Sequence, residues 1–111
     1  MAQIENYRHL VQQVLKSRVY THSDSNVDIY TIADTENDHY QLVNVGWKRD
    51  IHRVYGTVIH IDIKDDKIWV QWDGTDDSVA RELINNGVPQ SDIVLGFHAP
   101  YKREFTDFAV A

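Results

Sequence analysis

Apolar residues recur at two periods along the chain, and the change of period marks its elements. From Ile4 to Ser17, the residues Ile4, Tyr7, Leu10, Val11, Val14 and Leu15 return every three or four positions, with Glu5, Arg8, Gln12 and Lys16 on the other side. The spacing predicts a helix with one apolar stripe, placed over a sheet. About two helical turns of repeat are too few to argue for a coiled coil. Thr21–Asn26 is a loop by composition. From Val27 the period shortens to two. Val27–Asp34, His39–Trp47, Arg53–Ile63 and Lys67–Trp72 read as strands rich in β-branched and aromatic residues. The turns between them are short, which favours an antiparallel meander. Gly56 inside the third strand suggests a bulge or a close backbone approach.

The helical period returns after Asp73. Thr75 or Asp76 is expected to cap a second helix that buries Val79, Leu83 and Ile84. Gly87 takes the left-handed position after its end, Val88 makes the following apolar contact, and Pro89 blocks extension. Ile93–Phe97 is a short strand or extended run. Pro100 opens a last short helix carrying Tyr101, Phe105 and Phe108, and the apolar ending "FAVA" is expected to dock on this chain's core or on a partner. Together these elements predict one α+β domain over residues 1–111. Its antiparallel meander-type sheet has four to five strands, covered by the N-terminal helix and the second helix.

The hairpin "IHIDIKDDKIWVQW" bears the candidate chemistry. With Asp65 and Asp66 at its tip, Ile63 faces Ile68, Ile61 faces Val70 and Ile59 faces Trp72 on an apolar face. The other face then sets His60 opposite Gln71 and Asp62 opposite Trp69. A two-residue turn of this kind asks both aspartates for positive φ. His60 and Asp62, two apart on one strand, can orient an imidazole as a general base, but no serine or threonine is placed as a nucleophile. His39 or His98 brought near by folding would extend the pair toward a metal set. The alternative is a contact surface. Trp69 on a polar row covers or binds something, and Trp47 shares a strand face with His39, Gln41, Val43 and Val45. The basic stretch "HAPYKRE" adds His98 and Arg103, and Phe108 lies in the apolar end. The candidate interaction surface is therefore His60, Asp62, Trp69, Gln71, Trp47, His98, Arg103 and Phe108.

Composition narrows the function further. The absence of cysteine among the 111 residues excludes disulfides, thiolate metal sites and cysteine nucleophiles. Seventeen acidic against eleven basic residues leave a net charge of −6, which argues against direct DNA binding. The acidic stretches "DTENDHY" and "DGTDD" lack a calcium-loop pattern, and no phosphate-binding glycine pattern occurs. No signal peptide or membrane-length apolar run is visible, so the expectation is a soluble cytoplasmic protein without a membrane partner. No cofactor is expected.

Several stretches in order, "YRHLVQQVL", "DTENDHYQLVNVGW", "RVYGTVIHIDIKDDKIWVQWDGT", "GVPQSDIVLGFHAP" and "REFTDFAVA", resemble the XisI family, the fdxN element excision controlling factors of cyanobacteria. The resemblance spans nearly the whole chain. It implies a non-enzymatic accessory role beside a site-specific recombinase that excises a DNA element from a nitrogen-fixation operon. It also implies a XisH-like protein as partner. It supplies no catalytic residues. Where the family turn is commonly Asp-Gly, this chain has Asp66. A homo-oligomer, for instance through a symmetric contact over Trp69, is the other association the surface allows.

Overall fold

A computed structural model describes residues 2–20 and 26–111. The loop expected at Thr21–Asn26 lies outside the described residues except for Asn26. The elements are α1 (Ala2–Ser17), β1 (Val27–Asp34), β2 (His39–Lys48), β3 (His52–Lys64), β4 (Lys67–Asp73), α2 (Val79–Asn85), a 3-10 turn at Gln90–Asp92, β5 (Ile93–Leu95) and α3 (Pro100–Arg103). The five strands form one sheet in chain order. Pairs β1–β2, β2–β3 and β3–β4 are antiparallel. The short β5 runs parallel to β4, which ends the meander. A parallel neighbour needs a crossover, and α2 lies in that connection.

Alternation along the strands sends one set of side chains to a single core. Ile29, Tyr40, Leu42, Ile59, Ile61, Ile63, Ile68, Val70 and Ile93 meet Tyr7, Val11, Val14 and Leu15 of α1, and Val79, Ala80 and Leu83 of α2. Each full burial of such a side chain contributes roughly 1.5–3 kcal/mol before chain entropy. Both helices therefore cover the same sheet face, α1 over β1–β3 and α2 beside β4. Arg8 of α1 donates to Asp38 of the β1–β2 turn at 2.8 Å, and the Tyr40 hydroxyl donates to the same carboxylate at 2.8 Å. Arg18, just past α1, joins the two helices by a 2.7 Å pair with Glu82.

Two bulges interrupt the ladders, and the second revises the register expected for the hairpin. In β2–β3, Leu42 pairs with Ile59 but Val43 pairs with Thr57, which leaves Val58 as the extra residue. Gly56 is neither the bulge nor a close approach, since a Cβ there would meet nothing within 4 Å. The close approach is at Gly46, where a Cβ would lie 2.0 Å from the Asn26 carbonyl oxygen. In β3–β4, Ile61 pairs with Val70 but His60 pairs with Trp72, so Gln71 is the extra residue. Trp72 thus leaves the apolar face and is exposed. The same shift sets Asp73 opposite Ile59, where its carboxylate accepts from Thr75 N and Val79 N, each at 2.9 Å, at the entrance to α2.

That use of Asp73 also moves the helix cap. Thr75 turns its hydroxyl to Asp73, and Ser78, not Thr75 or Asp76, caps α2 by accepting from Arg81 N at 3.1 Å. The end of α2 is as expected. Gly87 has φ 101°, with Val88 N donating to Leu83 O and Gly87 N to Ile84 O. Asp65 and Asp66 both have positive φ, 53° and 65°. The C-terminal segment docks on the chain itself. Ala109 N donates to Ile93 O at 2.9 Å beside Val94, and Phe108 packs against the core. Among the described residues no helix is long and apolar enough to cross a membrane.

Candidate functional site

With both helices on one side, the other side of β1–β3 is left bare, and the register lists its residues. Tyr30 pairs with Val43 and Val43 with Thr57; Asp28 pairs with Val45 and Val45 with Tyr55. Ile32 pairs with Gln41 and Gln41 with His60. His39 stands between Asp34 and Asp62, and Asp62 pairs with Trp69. Trp47 pairs with Arg53 in the same row parity, so Trp47 and Trp69 share this face at opposite ends. Tyr30, Ile32, Trp47, Tyr55 and Trp72 are exposed on it, Tyr55 to 75%. The guanidinium of Arg53 lies between the Trp47 and Tyr55 rings, 5.3 Å and 5.4 Å from their centroids. A shallow groove on this face is bounded by Tyr30, Ile32, Val43 and Tyr55.

Beside this apolar area the face carries a polar cluster. Asp62 Oδ1 lies 2.8 Å from His39 Nδ1 and 2.9 Å from His60 Nε2, and its Oδ2 accepts from Gln71 Nε2 at 3.1 Å. A carboxylate can only accept, so both facing ring nitrogens carry protons when these bonds are made. Asp62 is the most covered of the three, its side chain 16% exposed against 33% for His60 and 56% for His39. Burial pushes the Asp62 carboxyl up, but the bonds from His39, His60 and Gln71 outweigh it and leave it below the usual carboxylate range. The same contact with Asp62 raises His39 above an ordinary imidazole. Thr57, two strand positions from the bulge partner Ile59, donates its hydroxyl to Gln41 instead of facing an imidazole.

The remaining candidates part company with this cluster. Trp69 is not an exposed contact residue. It is 8% exposed, with the Lys64 ammonium 4.0 Å and the Arg103 guanidinium 5.3 Å from its ring centroid. Arg103 also donates to the carbonyls of His98 and Gly96, at 3.0 Å and 3.3 Å, so it clasps the C-terminal segment to the sheet. His98 packs on Phe97 and does not join His39 and His60. Phe108 belongs to the core margin. The structure therefore brings His60, Asp62 and Gln71 together, adds His39, and keeps Trp47 on the same face. Tyr30, Ile32, Tyr55 and Trp72 were missing from the sequence-based surface. Alternation along β1 and β3 carries the signal for the first three, whereas the bulge hides Trp72.

The family model of the XisI protein matches residues 1–110 of the chain. Two solved structures from Anabaena variabilis ATCC 29413 share the fold. A XisI-like protein is 50% identical, with a TM-score of 0.89 over 96% of this chain and 97% of that one. The fdxN element excision controlling factor XisI is 35% identical, with a TM-score of 0.82 over 98% of this chain and 99% of that one. No curated protein matches.

Proposed function

The chain belongs to the XisI family, and we propose that it is a non-enzymatic accessory protein in the excision of a DNA element, acting through a XisH-like partner protein seated on the bare sheet face. The observation that carries this reading is the set of exposed aromatic and aliphatic side chains, Tyr30, Ile32, Trp47, Tyr55 and Trp72, on the side of the sheet away from α1 and α2. Contiguous apolar surface of this kind marks contact sites, and aromatic anchors dominate their energetics. The net charge of −6 opposes a phosphate backbone, so the DNA contact is assigned to other members of the machinery.

Co-expression with a XisH-like protein tests the proposal. The two chains are expected to co-elute, and Tyr30→Lys with Tyr55→Lys to abolish co-elution while the circular dichroism of this chain is unchanged. Separate elution of two folded wild-type chains overturns it. Elution of this chain alone as a dimer that the same lysines dissolve would reassign the face to self-association.

A further inference from the structure

We propose that His39, His60 and Asp62 form a binding site for one divalent first-row transition ion, held through His39 Nδ1, His60 Nε2 and Asp62 Oδ1. The proposal goes beyond the accessory role and does not depend on it. Three observations carry it. The first is convergence: the three ligand atoms all lie within 4.8 Å of one another, and two of the three separations are 2.8 Å and 2.9 Å. Donors around an ion with bonds of about 2.0–2.1 Å stand roughly 3 Å apart, so a few tenths of an ångström at Asp62 and a swing of the exposed His39 ring complete the set. Each imidazole need only move its proton to its other ring nitrogen.

The second observation is support. A ligating carboxylate works best when its free oxygen is fixed, and Gln71 holds Asp62 Oδ2. Gln71 faces this side by the alternation of β4, in step with Trp69, and it has room because position 96 is glycine. A Cβ there would come within 2.5 Å of the Gln71 Oε1 atom. The third is charge. Among the described residues no lysine or arginine pairs with the largely covered Asp62. The nearby Lys64 and Arg103 cations lie on the Trp69 ring. Its countercharge comes from two titratable imidazoles alone, and a divalent cation would supply a permanent one.

Two imidazoles and one carboxylate suit borderline ions such as Zn²⁺ and Co²⁺ and leave open positions to water, on the exposed His39 side. Co²⁺ absorption and Zn²⁺ competition against a chromogenic chelator, on the full chain at neutral pH, test the site. One ion per chain is expected. His60→Asn or Asp62→Asn should lower affinity by more than about 100-fold, and Gln71→Leu by roughly 10-fold. His52→Asn, at the start of β3, should leave affinity unchanged. Zn²⁺ should also displace the imidazole resonances of His39 and His60 in the wild-type protein, but not those of His52 and His98. This second readout requires no variant to fold. Equal affinity in wild type and His60→Asn, no saturable binding by wild type, or unmoved His39 and His60 resonances would each overturn the site.

Discussion

Trp69 illustrates how one residue changes meaning between sequence and fold. Its ring lies in a polar row by alternation, yet it is covered, with cations at both its neighbours Lys64 and Arg103. Such contacts gain strength when desolvated. Its indole Nε1 is buried with no hydrogen-bond partner among the described residues, so the ring contributes area and π-face while its N–H carries a desolvation cost. Trp69→Phe is accordingly expected to cost less than about 1.5 kcal/mol, since it removes an unsatisfied donor while keeping an aromatic ring. Trp69→Ala should cost about 3–5 kcal/mol. Urea unfolding of both variants measures the difference, and equal losses would show that the Nε1–H matters after all. Trp69 was legible as a residue with a job. Its cover was not, because Arg103 arrives from beyond a helix and a fifth strand.

At the scale of elements, period and punctuation determined most of what formed. The stripe from Ile4 to Leu15 produced α1, and Gly87 with Val88 ended α2 as expected, because these signals act within one turn of backbone. Bulges act across strands, and they escaped the sequence. A perfect alternation of Ile59, Ile61, Ile63, Ile68, Val70 and Trp72 concealed the extra residue at Gln71. The hairpin tip offers a test of local conformation. Asp65 and Asp66 both lie in the left-handed region, which costs an ordinary L-residue about 1–2 kcal/mol and aspartate somewhat less. Asp66→Gly relieves that cost against a glycine entropy penalty of roughly 0.5–1 kcal/mol. A net gain of about 0.5 kcal/mol is expected, seen as a higher urea midpoint with unchanged slope. A lower midpoint would mean that the aspartate side chain stabilises the turn.

On the scale of the whole molecule, Arg8, Asp38 and Tyr40 tie α1 to the sheet. The Arg8 guanidinium holds the Asp38 carboxyl below its usual range. Burial opposes this, and the Tyr40 hydroxyl bond adds to it. A carboxyl lowered in the folded state takes up its proton first in the unfolded chain. Its contribution is therefore complete above the unfolded value of about 3.9 and is lost as pH falls through the lower folded value. The urea midpoint of the wild type should decline below about pH 4. Asp38→Asn should start from a lower midpoint at pH 7 and decline less steeply in acid. Parallel acid limbs in the two proteins would show that other carboxylates govern the loss.

By itself, the sequence determined which segments coil or extend, which strand residues share a face up to the bulges, and that one apolar set must be buried together. These follow from periods of 3.6 and 2 and from side chains that reach only their neighbours. Only the tertiary structure decided that α1 and α2 cover the same side of the sheet, which leaves Tyr30, Ile32, Trp47 and Tyr55 bare. It also decided that His39 on one strand meets His60 and Asp62 on the next, while Trp69 is closed over by Arg103. Those outcomes depend on strand register and on which segment returns to which edge. Both are set by contacts between residues far apart in the chain, and local pattern does not encode them.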